Sequence, residues 1–143
     1  MGERSVVYDT NTVVSALGFG GTPQTALLTG FTRVWDMYFS KEILSEIERV
    51  MRYDKIPVRE DESELFLTVM RDEGVPVEPK VSVDESDDPD DNKFLECAFE
   101  ANAQYLVSGD SDLLELGKFR GTEVVTPDGF LGQQDEGSRL TNS

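Results

Sequence analysis

Short apolar runs rich in β-branched and aromatic residues alternate with segments of helical periodicity, and this alternation constrains the fold more than any other feature. The runs with the composition of strands are residues 5–8, 34–39, 75–77, 105–107 and 123–125. Helical segments lie between most of them, with apolar residues three and four positions apart. Strands that alternate with helices in this way predict a layered α/β fold whose sheet is mainly parallel.

The predicted helices follow from periodicity and from capping residues at their ends. They are expected over residues 12–17, 24–32, 41–53, 61–73, 91–102 and 113–116. Thr22 is expected to cap the second helix, with Pro23 as its first residue. The third begins after Ser40, a good N-cap residue, and the fourth carries the apolar residues Leu65, Phe66, Val69 and Met70. The acidic stretch 82–90 is predicted to be an exposed loop.

Length and hydrophobic content fit a single domain. The chain has 143 residues, of which 38% are hydrophobic, so it can bury a core without disulfides. We expect this domain to span residues 1–131 and a flexible polar tail to span residues 132–143. The apolar stretch Val6-Val7-Tyr8 is too short for a signal peptide or a membrane span, which favours a cytoplasmic protein without membrane contact.

The inventory of reactive side chains is narrow. The sequence contains no histidine and one cysteine, Cys97. Catalysis by Ser-His-Asp or Cys-His groups, the usual zinc sites and an internal disulfide are therefore excluded. Any hydrolytic chemistry must use carboxylates, hydroxyls, lysine or a metal ion held by oxygen ligands.

The chain is strongly acidic, with 29 Asp and Glu residues against 13 Lys and Arg and a net charge of −16. This charge argues on general grounds against a nucleic-acid partner, because phosphate binding relies on Lys and Arg. Divalent cations in a carboxylate pocket would nevertheless present positive charge locally. Acids spread along the whole chain are also typical of a very salty cytoplasm, where at ~1 M salt the Debye length is only ~3 Å. We hypothesise a halophilic source; maximal stability and activity in dilute buffer would contradict it.

Two acids directly follow predicted strands. Asp9 comes after Val6-Val7-Tyr8, and Asp110 follows the strand at 105–107. Ligands of parallel α/β sheets bind at the carboxyl ends of strands, so neighbouring strands would bring both carboxylates into one crevice. Each Asp is equally suited to cap a turn or a helix, and the pairing of two such ends favours the functional interpretation.

Two further acids are ordinary when taken alone. Glu46 lies in a helix beside the apolar face, where an ion pair with Arg49 would explain it. Asp91 opens a helix, where the helix dipole favours an acid, and Asp88 and Asp90 compete for the same capping role. Together with Asp9 and Asp110, these acids suit oxygen-only coordination of Mg²⁺ or Mn²⁺.

Four ordered blocks carry a resemblance to a known family. They are Val6-Val7-Tyr8-Asp9-Thr10-Asn11, Glu42-Ile43-Leu44-Ser45-Glu46, Asp88-Pro89-Asp90-Asp91-Asn92-Lys93-Phe94-Leu95 and Tyr105-Leu106-Val107-Ser108-Gly109-Asp110-Ser111-Asp112-Leu113-Leu114. The chain resembles PIN domains from Val6 to about Leu131, and within them the toxin components of toxin–antitoxin systems. Val125-Thr126-Pro127 and Phe130-Leu131 match the closing segment of that branch.

The resemblance implies a three-layer α/β/α sandwich and a metal-dependent ribonuclease that uses Mg²⁺ or Mn²⁺. The implied site consists of the tetrad Asp9, Glu46, Asp91 and Asp110, the auxiliary acid Asp112, and the supporting residues Asn11 and Ser108. RNA would be the substrate, an antitoxin protein the partner, and a homodimer the assembly. Ser108 stands where the family more often has Thr, and it keeps the hydroxyl.

Substrate contact would use the few cations near these blocks. Arg49, Arg52 and Lys93 are the candidates, although a solvated surface charge is the default interpretation of each. Tyr8, Phe19 and Trp35 are aromatic rings that could stack on bases, but core packing is favoured for Trp35 and Tyr8.

Three other functions stay open. A haloacid-dehalogenase-type phosphatase has an Asp-x-Asp-x-Thr motif after a strand, and Asp9-Thr10-Asn11-Thr12-Val13 comes close, with Asn11 in place of the second Asp. A receiver-like phosphorylation domain would need an acidic pair near the first strand, which is not clear here. The third is a non-catalytic PIN fold that binds metal or RNA.

Overall fold

Six strands form one sheet in the part of the chain that the computed structural model describes, residues 4–133. They are β1 (Ser5–Tyr8), β2 (Asp36–Phe39), β3 (Val75–Pro76), β4 (Tyr105–Val107), β5 (Lys118–Phe119) and β6 (Thr122–Val125). Their order across the sheet is β3-β2-β1-β4-β6-β5. Every pairing is parallel except that of β5 with β6. The predicted mainly parallel sheet is therefore confirmed.

The strand order reverses beside β1. From β1 the chain adds β2 and β3 on one side and then crosses to place β4 on the other. In the β1–β4 pairing, Val6 lies opposite Tyr105 and Tyr8 lies opposite Val107. Both strands therefore end at the same level, and the residues that follow them share one crevice at the switch in strand order.

Helices cover the sheet. They are α1 (Thr10–Phe19), α2 (Gly21–Thr29), α3 (Lys41–Val50), α4 (Glu60–Glu73), α5 (Asn92–Ala101) and α6 (Ser111–Leu116), with a 3-10 turn at Pro89–Asp91. Residues 127–133 are also helical. Val6 and Val7 point to opposite faces of β1 and are both fully buried, so both faces of the sheet are covered. The predicted three-layer α/β/α sandwich is confirmed.

Aromatic side chains close the core at one end. Phe130, from the helical residues 127–133, is fully buried. Its ring lies 5.0 Å from that of Trp35, 5.7 Å from that of Tyr105 and 6.2 Å from that of Tyr8. Tyr8 and Trp35 are core residues as favoured, whereas Phe19 is exposed.

Two local predictions, the cap of α2 and the start of β2, were wrong. Thr22 does not cap α2: Gly20, at φ 71°, ends α1 and is itself the N-cap residue of α2, which leaves no linker for a separate cap. Of the apolar residues noted on α4, Met70 is buried, whereas Leu65 is 66% exposed, because Leu67 and Met70 are the buried positions of this helix. Val34 is exposed, and β2 begins at residue 36.

Two features at the end of the domain were not predicted, although the strand expected at 123–125 is present as β6. β5 has two residues, too few for a periodicity signal, and the helical residues 127–133 begin at Pro127, where no helix was expected. The predicted tail 132–143 lies outside the described residues from 134 onward, while residues 132 and 133 are helical. Among the described helices, none has both the length and the apolar character needed to cross a membrane.

Candidate metal centre

Asp9 and Asp110 occupy the crevice at the strand switch, and each caps the helix that follows it. Oδ1 of Asp9 accepts a hydrogen bond from the backbone N–H of Thr12 at 2.8 Å. Oδ1 of Asp110 accepts one from the backbone N–H of Asp112, also at 2.8 Å. The capping interpretation and the site interpretation are therefore both true, because capping fixes the direction in which each carboxylate points.

Ser108 connects these two acids. Its hydroxyl donates to Oδ2 of Asp9 at 2.5 Å and accepts from the backbone N–H of Asp110 at 2.9 Å. The side chain is fully buried between β1 and the start of α6. Since the single hydroxyl proton is directed at Asp9, this serine holds both acids in a fixed relation to each other.

Glu46 reaches the same crevice from α3. Its carboxylate accepts hydrogen bonds from the Thr10 hydroxyl and from Nζ of Lys93, the latter at 2.6 Å. Arg49 lies 3.6 Å from the same carboxylate, but its side chain is 62% exposed, against 17% for Lys93. The stronger partner of Glu46 is therefore Lys93, which lies 47 residues away in sequence.

The acidic loop at residues 82–90 positions Asp91 in the same crevice. Asp88 caps the 3-10 turn by accepting from the backbone N–H of Asp90 at 3.0 Å. Oδ1 of Asn92 accepts from the backbone N–H of Ser86 at 3.0 Å, which draws the loop back against α5. The Ser86 hydroxyl then lies 3.5 Å from Oδ2 of Asp91, whose side chain is buried. The loop predicted to be exposed thus has an ordered, inward-facing end.

The carboxylates converge. Asp88, Asp91 and Asp110 each offer an oxygen, and these oxygens lie within 4.8 Å of one another. They line an open cleft of about 190 Å³, together with Asp9, Thr10, Asn11, Glu46, Val50, Asp90 and Phe94. All four members of the predicted tetrad lie in this acidic cleft.

Burial, together with the neighbouring carboxylates, disfavours the ionised form of Asp9 and of Asp91. Burial raises the pKa of Asp9, and the hydrogen bonds from Ser108 and Thr12 only partly oppose it. Burial, followed by the charges of Asp110, Asp88 and Asp9, raises the pKa of Asp91 to about 7. A divalent cation would relieve this repulsion, and an all-oxygen donor set is the kind that Mg²⁺ and Mn²⁺ prefer. The residues present fit such an ion.

The remaining predicted site residues are divided between the cleft and its surroundings. Asn11 lines the cleft, whereas the carboxylate of Asp112 groups with those of Asp87 and Glu115. Arg52 is exposed and pairs with Glu48 at 2.9 Å. Lys93 and Arg49 both pair with Glu46, which lines the cleft, but neither is itself among the lining residues.

Sequence reasoning missed three contributors. Asp88 was considered only as a cap, yet its carboxylate belongs to the cluster. Asn92 and Ser86, which fold the loop onto Asp91, were not singled out. The Asp-Pro dipeptide at Asp88 is a turn signal and could have pointed to this residue. The roles of Asn92 and Ser86 depend on tertiary contacts that sequence spacing does not show.

Comparison with protein families decides the relationship. A family model described as PIN domain matches residues 5–112, a range that contains Asp9, Glu46, Asp91 and Asp110. The chain belongs to the PIN domain family. It is also 33% identical over 115 residues to an uncharacterized protein of Methanocaldococcus jannaschii, an alignment that covers 78% of this chain and 74% of that protein. PIN domains are generally metal-dependent nucleases, and the acidic cleft of this one can hold a metal ion.

Proposed function

We propose that this PIN domain is a Mg²⁺- or Mn²⁺-dependent endoribonuclease that hydrolyses RNA phosphodiester bonds. The observation that carries the proposal is the convergence of Asp88, Asp91 and Asp110 within 4.8 Å in the cleft that Asp9 and Glu46 also line. A bound divalent ion would supply an activated water and would stabilise charge on the phosphoryl oxygens. Phosphodiester hydrolysis of this kind requires no histidine.

The protein's own side chains have separate tasks in this proposal. Asp9, Asp91 and Asp110 would hold the cation, with Glu46 as a fourth carboxylate that lines the same cleft. Ser108 fixes the position of the Asp9 carboxylate relative to Asp110 through its two hydrogen bonds. These fixed contacts orient the ligands before substrate arrives, which lowers the cost of organising the site during the reaction.

The phosphatase alternative fits the residues present less well. In that class of enzyme, a second Asp two positions after the nucleophile acts as the general acid. Asn11, where a general acid would be required, has no proton to donate at a suitable pKa.

RNA cleavage tests the proposal. The full chain is incubated with mixed RNA substrates plus Mn²⁺ or Mg²⁺, from low to molar salt, beside the variants Asp9→Asn and Asp110→Asn. Asp84→Asn, an exposed acid on the loop before the 3-10 turn, is the matched control. We expect cleavage by wild type and Asp84→Asn only. Cleavage that survives both cleft substitutions would refute the assignment, and metal binding without cleavage at any salt would favour a non-catalytic module.

We further propose that the protein is the toxin of a toxin–antitoxin pair, supported by an apolar groove. The groove lies between α1, α2 and α4, has a volume of about 360 Å³, and exposes Leu28, Leu65 and Val69. A patch of this kind on a protein surface is typical of a protein interface. Co-expression with the product of the adjacent gene should silence the nuclease, and Leu65→Glu should restore activity. A homodimer and a cytoplasmic location remain predictions, the first to be checked by light scattering.

A further inference from the structure

The carboxylates that line the acidic cleft differ in whether a cation of the protein lies beside them. They belong to Asp9, Glu46, Asp88, Asp90, Asp91 and Asp110. Within residues 4–133, no Lys or Arg side chain forms an ion pair with the four aspartates other than Asp90, which we call the cation-free acids. Glu46 and Asp90 differ from them, because both pair with Lys93. One part of the cleft therefore already has a positive charge beside it.

The ammonium group of Lys93 has a defined position. Its Nζ lies 2.6 Å from Oε2 of Glu46 and 3.8 Å from Oδ1 of Asp90. It also lies 5.4 Å from the centre of the Phe94 ring, a distance that allows a cation–π contact. The Lys93 side chain is only 17% exposed, whereas most lysines of folded proteins are well exposed. These contacts distinguish Lys93 from a solvated surface charge.

Glu46 is held at both of its carboxylate oxygens. The Thr10 hydroxyl donates to Oε1, and Lys93 donates to Oε2. Arg49 adds a longer contact of 3.6 Å from an exposed position. The negative charge of Glu46 is therefore balanced by the protein itself, whereas the charges of the cation-free acids are not. A divalent cation gains more electrostatic energy beside the acids that are not balanced.

A second ion on the Glu46 side of the cleft would have to displace Lys93. The ammonium lies 2.6 Å from Glu46, so an ion bound to the same carboxylate would come close to it. Two positive charges repel strongly at short range where water is largely excluded, and both side chains are mostly buried. Release of the ammonium would in turn leave it without its closest partner. The Lys93–Glu46 pair thus disfavours a second ion.

We infer that the cleft binds a single divalent ion at the cation-free acids, and that the ammonium of Lys93 takes the place of a second ion beside Glu46. This inference rests on the proposed metal-dependent function and specifies how many ions that function uses. In two-metal nucleases, a pair of ions stabilises the charges of the attacking and leaving oxygens. Here Lys93 provides the second positive charge and acts as a positioning residue that holds Glu46.

The number of bound Mn²⁺ ions tests this inference without reference to activity. The full chain is freed of metal with a chelator and titrated with Mn²⁺ in a calorimeter, which gives the number of ions per chain. Electron paramagnetic resonance of the loaded protein then distinguishes an isolated Mn²⁺ from a spin-coupled pair. Lys93→Met removes the charge, and Lys93→Arg keeps it. Lys41→Met is the control, because Lys41 is exposed at the start of α3 and forms no ion pair within the described residues.

Wild type, Lys93→Arg and Lys41→Met should each bind one Mn²⁺ and show the signal of an isolated ion. Lys93→Met should bind two and show spin coupling, because Glu46 and Asp90 lose the cation that they share. Glu46→Gln should still bind one ion, with an affinity closer to that of wild type than to that of Asp110→Asn. Melting curves establish which variants are folded, and the Glu46→Gln comparison decides the matter if Lys93→Met does not fold.

The outcomes separate this inference from the proposed ribonuclease function. RNA cleavage by a wild-type protein that binds two Mn²⁺ ions would overturn the inference and leave the ribonuclease function intact. A folded Lys93→Met protein that binds one ion, or a Glu46→Gln protein that loses as much affinity as Asp110→Asn, would also overturn it. One ion in wild type and two in Lys93→Met, without cleavage of RNA at any salt, would support the inference and refute the ribonuclease function.

Discussion

Replacing Asp91 with asparagine should stabilise the protein when no divalent metal is present. Asp91 is buried beside Asp110, Asp88 and Asp9, and its pKa is raised from 3.8 to about 7 by burial first and by those charges second. The folded state therefore resists ionisation of Asp91 more than the unfolded state does. The amide introduced by Asp91→Asn would remove the charge while keeping the shape and a donor for Asp110.

The magnitude follows from that pKa. Each pKa unit corresponds to about 1.4 kcal/mol, so the rise from 3.8 to about 7 sets an upper limit of about 4 kcal/mol. Water in the open cleft screens the charge, and we expect roughly 1 kcal/mol, or about 3–5 °C in Tm. The destabilisation is fully present above about pH 7 and disappears as the pH falls through the folded-state pKa toward the unfolded value. The advantage of Asp91→Asn should therefore be largest at about pH 8, reduced at about pH 5, and nearly absent only as the pH approaches the unfolded value of 3.8.

Thermal and urea unfolding in the presence of a chelator would measure this difference. Asp84→Asn removes the same charge from an exposed position of the same loop and serves as the control for net charge. Asp91→Asn should be the more stable of the two at about pH 8, and the gap should close on acidification. A destabilised Asp91→Asn protein, or a gap that does not depend on pH, would refute the argument that repulsion in the cleft opposes folding.

Three further substitutions, the last with a matched control, test other parts of the structure. Lys93→Met removes the ammonium group 2.6 Å from Glu46, so it should cost about 1–3 kcal/mol without metal and strengthen Mn²⁺ binding; unchanged Mn²⁺ affinity would show that Lys93 does not compete with the ion. Phe130→Ala should lower the free energy of unfolding in urea by about 3–5 kcal/mol, since its ring fills the core beside Trp35; a loss below about 1 kcal/mol would contradict that packing. Gly74→Ala would place a Cβ 2.6 Å from the carbonyl oxygen of Met70 and should lower Tm, whereas a Cβ on Gly109 meets no atom within 4 Å and Gly109→Ala should leave Tm unchanged.

The elements that the sequence predicted correctly are those whose signal lies within a few neighbouring residues, such as an apolar run or a capping residue. β1 and β4 are apolar runs of three or four residues, each followed closely by an acid, and they emerged at the expected residues. Ser40 does cap α3, accepting from the N–H of Ile43 at 3.3 Å. β1 and β4 pair in parallel, so Asp9 and Asp110 lie at the same edge of the sheet, as expected on the condition that their strands are neighbours.

The parts that were not predicted depend on tertiary contacts. Nothing in the spacing of Lys93 and Glu46 shows that they pair across 47 residues, and Lys93 was taken for a substrate contact. Asp88 and Asp112 both lie in acidic stretches, and their sequence context does not distinguish them. Asp88 joins the cluster of Asp91 and Asp110 because the loop folds onto α5, whereas the carboxylate of Asp112 groups with those of Asp87 and Glu115. Gly20 is one residue shared by two helix ends, an arrangement that capping rules applied to each helix separately do not anticipate.

The metal site itself is tested most directly by titrating Mn²⁺ into the metal-free protein in a calorimeter. Asparagine can retain the helix caps that Asp9 and Asp110 provide, so Asp9→Asn and Asp110→Asn should fold and yet lose carboxylate ligands. We predict saturable Mn²⁺ binding by wild type and by Asp84→Asn, and a large loss of affinity in both cleft variants. Equal binding by wild type, Asp9→Asn and Asp110→Asn would contradict a metal centre at the end of β1 and β4.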